Sequence, residues 1–526
     1  LTGLADYAPS DPEPEFVDIN DENEIVLTMQ ENNHIVVIDG TSGKVISHFP
    51  AGAVDLEGID TKEEGALVFT DIQPGRLREP DAVKWLGNDR FVIANEGDYN
   101  GGSRGFTIFG QDGAELYESG TSFEYEVIKL GHYPEERSGN KGVEPEGLEV
   151  GTFGDDTYIF VMSERGSVVG VYRDTIGTPE LIQFLPSGIA PESAVAIPSR
   201  NLLATANEAD LIEDGGVRAH IMLYELAEGT PAYPQIVSGE QDGLPIGWGA
   251  LSGLAADPKE AGILYAVNDS FYGMQPTIFT IDAKQTPAMI KAATRVTRGG
   301  GAPAQKLDLE GIASDGEGGF WLASEGRTDR LIPHAIYHVD ESGEIDEEIS
   351  FPPELLAVEK RWASEGVTLI GDTLWIAIQR QWGDDADNTV KLVAYNLESE
   401  EWGAVAYPTD PAPKGWVGLS EITLHGDHVY IIERDNQIGE NAAIKKLYRV
   451  AVSELQPAPL GGELPLVSKE LVRDFLDDLK MLNGYVVDKI EGFAVDASGE
   501  GFAVTDNDGV DDSSGETYFF SIGQMN

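Results

Sequence analysis

Residues 308–326 read DLEGIASDGEGGFWLASEG and contain the repeated unit that decides the fold. An acid, a glycine and an apolar residue open one apolar strand at Glu310-Gly311-Ile312, a turn rich in Gly and Asp follows, and a second apolar strand ends at Glu325. Further copies of this unit, one of them looser, lie on both sides of it. The openings of all copies stand at Glu15, Asp81, Glu146, Glu192, Ser252, Glu310, Glu365, Glu421 and Glu491.

A third apolar strand follows each copy, and a weaker fourth often follows after a turn, so four short strands recur every 46 to 70 residues. Short strands joined by Gly, Asp and Asn turns predict an all-β protein, and four strands per repeat are typical of β-propeller blades. Nine openings exceed the usual number of blades. We therefore expect a propeller of four-stranded blades, seven in number within a range of seven to nine.

One helix is predicted to interrupt this pattern near residues 468–483. Ser468 provides an N-cap, Gly484 provides a stop, and Leu471, Phe475 and Leu479 would share one face. We expect residues 1–247 and residues 248–526 to be two sets of repeats that together form one closed propeller.

The chain is strongly acidic, with 92 Asp and Glu residues against 35 Lys and Arg residues and a formal charge of −57. Such a surface repels nucleic acids and anionic lipids, so neither is an expected partner, and no apolar run is long enough for membrane insertion. The chain contains no cysteine. We expect a secreted or periplasmic protein from which a signal peptide has been removed.

The repeat predicts where the acids meet. The start of a blade's first strand and the end of its antiparallel second strand lie at the same mouth of the channel. Carboxylates that crowd there would repel one another unless divalent cations with oxygen ligands, such as Mn²⁺ or Ca²⁺, join them. The predicted metal ligands are Glu96, Glu146, Glu192, Glu208, Glu310, Glu325, Glu365, Glu421 and Glu491. The alternative is that each of these acids holds backbone amides of neighbouring blades.

Three arginines and one histidine near the ends of second strands are candidate catalytic residues. Arg327, Arg380 and Arg434 could bind a phosphate through paired N–H donors, or could pair with adjacent acids. His334, in the loop beyond Arg327, could act as a ligand or general acid, or could be structural.

From Trp248 to Phe520 the chain resembles the family known as esterase-like activity of phytase. The stretches that carry the resemblance are Leu251-Ser-Gly-Leu254, Asp308-Leu-Glu-Gly-Ile312, Phe320-Trp-Leu-Ala-Ser-Glu325, Ser364-Glu-Gly366, Glu433-Arg434, Ile490-Glu-Gly-Phe493 and Thr505-Asp-Asn507. The first half is similar to propeller segments of secreted proteins labelled alkaline-phosphatase-like.

The resemblance implies hydrolysis of phosphoric esters. The chain is similar to the haloalkylphosphorus hydrolase type of phosphotriesterase, whose propeller holds two Mn²⁺ ions. We therefore expect a metal-dependent phosphoester hydrolase with two divalent ions, Mn²⁺ or Ca²⁺, and a small phosphorylated substrate. The alternatives are a non-catalytic, Ca²⁺-stabilised binding propeller, or a propeller lactonase or carboxyl-esterase.

Overall fold

The computed structural model describes residues 3–359, 361–482, 484–510 and 513–525. The chain divides into two compact units. Unit 1 comprises Leu1–Pro234 and Asp508–Glu516, and unit 2 comprises Gln235–Asn507 and Thr517–Asn526. The division falls 13 residues before the predicted boundary at 247 (247 − 234). The expectation that both halves form one closed propeller stays a prediction.

Unit 1 contains four sheets, blades A to D, made of β1–β4, β7–β10, β11–β14 and β15–β17, and a separate hairpin of β5 and β6. The innermost strands follow one another, because β1 contacts β7, β7 contacts β11, and β11 contacts β15. The strands β1 to β17 are Pro14–Ile19, Glu24–Met29, His34–Asp39, Lys44–Pro50, Ala53–Ile59, Asp71–Leu77, Val83–Leu86, Arg90–Ala94, Phe106–Gly110, Glu115–Glu118, Pro145–Phe153, Asp156–Ser163, Val168–Arg173, Glu180–Pro186, Pro191–Ile197, Leu202–Asn207 and His220–Glu225.

Unit 2 contains twenty-five strands. In chain order, β18 to β42 are Ile236–Ser238, Glu240–Gln241, Leu244–Pro245, Leu251–Ala256, Ile263–Asn268, Thr277–Asp282, Ala288–Arg295, Thr297–Arg298, Ala302–Pro303, Leu309–Ser314, Phe320–Ser324, Ala335–Val339, Ile345–Ser350, Ser364–Ile370, Thr373–Ile378, Thr389–Asn396, Trp402–Pro408, Val417–His425, His428–Asp435, Lys445–Ala451, Ala458–Pro459, Glu470–Asp474, Ile490–Val495, Glu500–Thr505 and Phe519–Gln524.

Five sheets of unit 2, blades E to I, surround one axis. Their innermost strands are β21, β27, β31, β35 and β40; each contacts the next, and β40 contacts β21, which closes the ring. A separate apolar core fills each of the five spaces between neighbouring blades. Unit 2 therefore has the arrangement of a β-propeller.

Helices are few. In the described part of the chain the α-helices are α1 (Ser122–Lys129) and α2 (Pro353–Leu356). No helix in the described part of the chain has the length and apolarity needed to span a membrane. Single 3-10 turns occur at Glu135–Arg137, Pro198–Arg200, Ile212–Asp214, Ser270–Tyr272, Thr328–Arg330, Gly439–Asn441, Val452–Glu454 and Asp508–Val510.

The structure confirms an all-β chain of small antiparallel sheets but not the number of seven blades. Within the described residues, nine sheets of three or more strands occur, four in unit 1 and five in unit 2. Each of the nine predicted openings lies in the innermost strand of one sheet or just before it. Each sequence repeat therefore corresponds to one sheet. The number of blades that is usual in propellers did not predict the number of sheets in this chain.

The predicted helix at 468–483 is wrong. Glu470–Asp474 is a strand, β39, which pairs with β37 as the outer strand of blade H. Phe475 and Leu479, four residues apart, are buried by the turns that follow β39, so their spacing imitates a helical face. Pairing with β37 outweighs the local helical pattern. Asn483 lies outside the described residues.

Glycines allow the inner strands of unit 2 to approach one another closely. A Cβ atom on Gly311 would lie 2.7 Å from Gly366 Cα, and one on Gly366 would lie 2.5 Å from Ile422 N. A Cβ on Gly253 would lie 2.9 Å from Glu310 O. Because these neighbours are backbone atoms, no side chain can rotate away to make room.

Replacing Gly311 with alanine is therefore expected to destabilise unit 2 by about 1–3 kcal/mol, the typical range for overpacking. The midpoint of urea unfolding would measure the change. Gly299→Ala is the matched control, because a Cβ at Gly299 meets no atom within 4 Å. Equal midpoints for both variants would contradict the proposed close packing.

Candidate active site

The acids at the strand openings are set in position by β-bulges. In blade F the register shifts between Leu309 and Gly311, so Glu310 is the extra residue. The same shift surrounds Glu365 in blade G and Glu491 in blade I. A bulge leaves one residue unpaired and re-aims its side chain, and this accounts for the recurring acid–glycine pair.

Blade H departs from this register, so Glu421 has different neighbours, and its role as a metal ligand stays a prediction. Its bulge lies between Leu419 and Glu421, so Ser420 takes the place that Glu310 has in blade F, and Glu421 takes the place of a glycine. The Glu421 carboxylate accepts the backbone N–H groups of Leu254 at 3.1 Å and Ile422 at 2.9 Å. Glu421 therefore links inner strands, as the alternative interpretation expected.

Buried acids crowd together at this end of unit 2. Burial, and next the charge of Glu365, raises the pKa of Glu310 well above its usual value. Burial, and next the charge of Glu491, raises the pKa of Glu365 well above its usual value. Burial, and next the charge of Asp506, raises the pKa of Asp269 in the same way. Burial also raises the pKa of Asp308, whose carboxylate accepts the backbone N–H of Ser270 at 3.0 Å.

Two basic residues offset part of this charge. Arg434 donates to Glu491 at 2.5 Å, to Asp488 at 3.3 Å, and through Nε to Ser420 Oγ at 2.9 Å. Lys489 donates to Asp506 at 2.9 Å. Arg434 is thus brought to the site, as predicted, but it is held there by acids.

Arg380 lies between two indole rings. Its guanidinium carbon is 3.6 Å from the ring centroid of Trp416 and 4.6 Å from that of Trp362. Burial, and next the charge of Arg434, lowers its pKa to about 10. The buried Nε of Arg380 has no hydrogen-bond partner, and the residue lines a cavity of about 250 Å³ together with Trp416.

The other two predicted catalytic residues have local partners. Arg327 Nε lies 3.5 Å from an Asp329 carboxylate oxygen, as in the ion-pair alternative. His334 is buried and stacks on Phe351, and its Nδ1 accepts the backbone N–H of Gly326 at 3.0 Å. Both contacts support structural roles for Arg327 and His334.

Glu325 is held by the backbone that precedes β31 and is influenced by charges of both signs. Its Oε1 accepts the backbone N–H of Ala363 at 2.9 Å. Burial, and next the charge of Asp308, raises its pKa to about 7, while Arg361 and Arg380 act in the opposite direction. Glu325 can therefore exchange a proton near neutral pH.

Unit 1 contains the tightest carboxylate clusters of the described residues. Oxygens of Glu146, Glu164 and Glu192 all lie within 4.8 Å of one another, and so do oxygens of Glu96, Glu144 and Glu164. Burial, and next a hydrogen bond that protonated Glu146 donates to Glu192, raises the pKa of Glu146 to about 11, and burial raises that of Glu164 to about 7.

The two clusters differ in the basic side chains that contact them. Lys141 donates to Glu96 at 2.5 Å, and Arg137 donates to Glu144 at 2.7 Å, so the second cluster is already offset by basic groups. The first contacts one base, Arg165, through Glu164 at 2.8 Å. The predicted proximity of Glu192 and Glu208 is confirmed, since burial and then Glu192 raise the pKa of Glu208.

Several residues of these sites were absent from the predicted set. Asp269, Glu164 and Asp506 lie at the ends of second strands, so the sequence repeat already indicated them as site candidates. Glu144 could have been found from the recurring x-Pro-acid motif, because Glu79, Glu144 and Ala190 each precede proline with φ of 44°, 43° and 54°. Trp362 and Trp416 lie in loops and carried no repeat signal.

Comparison with known families agrees with the motifs. A family model described as "Esterase-like activity of phytase" matches residues 246–509, and a "Choice-of-anchor I domain" model matches residues 5–101 and 99–176. The alkaline-phosphatase-like character expected of the first half stays a prediction. Among curated proteins, no sequence matches the chain significantly.

Solved structures with some similarity include virginiamycin B lyase from Staphylococcus aureus, with 13% identity, 81% of this chain and 94% of that chain covered, and a TM-score of 0.22. Hydrazine synthase from Kuenenia stuttgartiensis has 12% identity, coverage of 72% and 95%, and a TM-score of 0.29. Hsv2 from Kluyveromyces lactis has 9% identity, coverage of 75% and 98%, and a TM-score of 0.22. TM-scores this low do not establish a shared fold.

The raised pKa values in unit 1 predict how stability depends on pH without metal. Glu146 and Glu164 hold protons in the folded state that they release on unfolding, where a glutamate has a pKa of about 4.3. Their contribution is complete below that value and is lost as pH rises through the folded pKa values. Chelated protein should therefore be less thermostable at pH 9 than at pH 5.

Glu146→Gln, which imitates the protonated acid, should reduce this pH dependence, and calorimetric scans across the pH range would measure it. Glu63→Gln, at an exposed position, is the control. A pH dependence unchanged by Glu146→Gln would contradict the interpretation.

Proposed function

The chain belongs to the family described as esterase-like activity of phytase, and on that premise we propose that it is a metal-dependent phosphoric-ester hydrolase whose active site lies at the acidic mouth of unit 2. The observation that carries the proposal is the set of carboxyl groups gathered at this end of unit 2, of which Glu365 and Glu491 are buried and Asp269, Asp308 and Glu310 are half-buried. Acids crowded in this way need either protons or a cation.

The donor set fits a hard divalent ion. Carboxylate oxygens from Asp269, Asp308, Glu310 and Glu365 are the ligand type that Mn²⁺, Mg²⁺ and Ca²⁺ prefer, and these four residues would hold the metal. The mutual repulsion that raises their pKa values would be relieved by such an ion. When bound, the metal supplies Lewis acidity toward a phosphoryl oxygen and toward water.

The protein's own groups would bind the phosphoryl group and move the proton. Trp362 and Trp416 cover the faces of the Arg380 guanidinium, so its edge is left to donate to phosphoryl oxygens. The neighbouring Glu325, with Oε1 held by Ala363, would accept a proton from water or return it to the leaving alcohol.

The substrate would be a small phosphorylated molecule, and the protein would be secreted or periplasmic. In unit 1, Glu146 and Glu192, with Glu164, would hold a second divalent ion. Glu96 is already paired with Lys141, which favours a structural role for it.

A non-catalytic, metal-stabilised propeller is the second candidate. Glu421 favours it, because this acid is fully buried in an inner strand and accepts backbone N–H groups from Leu254 and Ile422. Such a protein would bind metal and gain stability from it without hydrolysing any ester. A lactonase or carboxyl-esterase would instead hydrolyse lactones and leave phosphoesters intact.

Glu310→Gln is expected to lower phosphoesterase turnover by about two orders of magnitude or more, because it removes a ligand charge from the centre. Turnover of p-nitrophenyl phosphate mono-, di- and triesters, before and after chelation, would be measured with metal content by mass spectrometry. Glu317→Gln, at an exposed position, should leave both unchanged. Full activity of Glu310→Gln would remove Glu310 from the site.

Arg380→Lys is expected to lower kcat/KM by about tenfold to a hundredfold, because lysine keeps the charge but loses the planar paired donors and the indole stacking. Steady-state kinetics would measure the loss, with bound metal unchanged. Arg200→Lys is the matched surface control. An equal effect of both substitutions would show that Arg380 does not contact the substrate.

A further inference from the structure

A groove opens in unit 1 between blades C and D. Blade C has a fourth strand, β14, whereas blade D ends at β17 within the described residues. The side chains of Ile182 and Leu185 on β14 therefore face a space that a fourth strand of blade D would fill. This space has a volume of about 600 Å³, within the range of about 300–1,000 Å³ that small-molecule sites occupy.

Aromatic rings dominate the wall of the groove. Phe153 lies 6.2 Å from Tyr158 and 6.3 Å from Phe160, measured between ring centroids, and the rings meet edge to face. Leu203 and Tyr224 line the side formed by blade D. The Tyr224 hydroxyl donates to the Pro186 carbonyl at 2.7 Å, so its polar end is already used and the ring is left as an apolar surface.

The charges around the groove have one sign. Glu225 and Glu228 are the charged residues of the lining, and no Lys or Arg stands among the described lining residues. Glu225 follows Tyr224 on β17, so its side chain lies on the opposite face of the strand, and the exposed Glu228, in the loop after β17, is the acid left at the rim. Aromatic faces attract cations, and a carboxylate at the rim adds to that attraction. The formal charge of −57 further concentrates cations and repels anions.

We propose that this groove binds a small amphiphilic cation, an aliphatic or aromatic body that carries an ammonium group. The body packs against Tyr158, Ile182 and Leu185, whose side chains are at least partly exposed, and the ammonium group lies toward Glu228. None of these residues belongs to the proposed hydrolytic site, so the groove is a separate binding site that functions whether or not the chain hydrolyses esters.

Two probes with the same tail and opposite heads test the proposal: dodecyltrimethylammonium and dodecyl sulfate, both below their micellar concentrations. Isothermal titration should show saturable one-to-one binding of the cation, at least about tenfold tighter than the sulfate. Glu228→Gln should weaken cation binding about tenfold, Glu225→Gln on the opposite face of β17 should not, and both variants should bind the neutral dodecyl maltoside as the unmodified protein does.

A charge placed in the groove provides the second test. Ile182→Arg, at a position 43% exposed and thus tolerant of a long side chain, should abolish binding of the cation. Leu116→Arg, 52% exposed on β10 and outside the groove, should not. Circular dichroism would confirm that both variants fold. Equal binding of the sulfate, equal loss in Leu116→Arg, or no saturable binding of the cation would overturn the proposal.

Discussion

Five inner strands of unit 2 meet around one axis, and in four of them a glycine stands where the strand approaches its neighbour, while Glu421 occupies that place in blade H. Gly253, Gly311 and Gly366 lie so close to the next strand that a single added carbon would overlap backbone atoms. This constraint extends to the residue before each glycine. The β-bulge that accommodates the close approach leaves that residue unpaired, and in three of five blades it is a glutamate. Packing of the ring and crowding of charge at its mouth are therefore two results of one local geometry.

The crowding has an electrostatic cost that the fold meets in two different ways. Glu421 and Glu433 are buried, and each accepts a backbone N–H: Glu421 from Ile422, and Glu433 from Asp410. Arg434 offsets Glu491 in the same manner. In unit 1, Lys141 and Arg137 offset Glu96 and Glu144. Acids of this kind stabilise the structure as it stands, since hydrogen bonds and opposite charges favour the ionised form of a carboxyl group.

The fold was predictable from the sequence because the repeat encodes it directly: alternating apolar strands and Gly–Asp turns specify each sheet without reference to distant residues. Where a prediction failed, a distant partner decided the outcome. Glu470–Asp474 forms a strand because β37 pairs with it, not because of its own preference. Glu421 was misplaced by one position because a bulge cannot be located from spacing alone. The stacking of Trp362 and Trp416 on Arg380 joins three separate segments, and no pattern within any one of them indicates it.

The acids at the mouth of unit 2 differ in their partners. Glu421 accepts two backbone N–H groups, whereas the charges of Glu365 and Asp308 act on Glu310. Their repulsion, together with burial, raises the pKa of Glu310. A site that must hold either a proton or a cation gains free energy from any divalent ion that enters, and Glu146, with Glu164 and Glu192, is in the same position in unit 1. The same fold thus contains acids that complete the structure and acids that are left to bind something else.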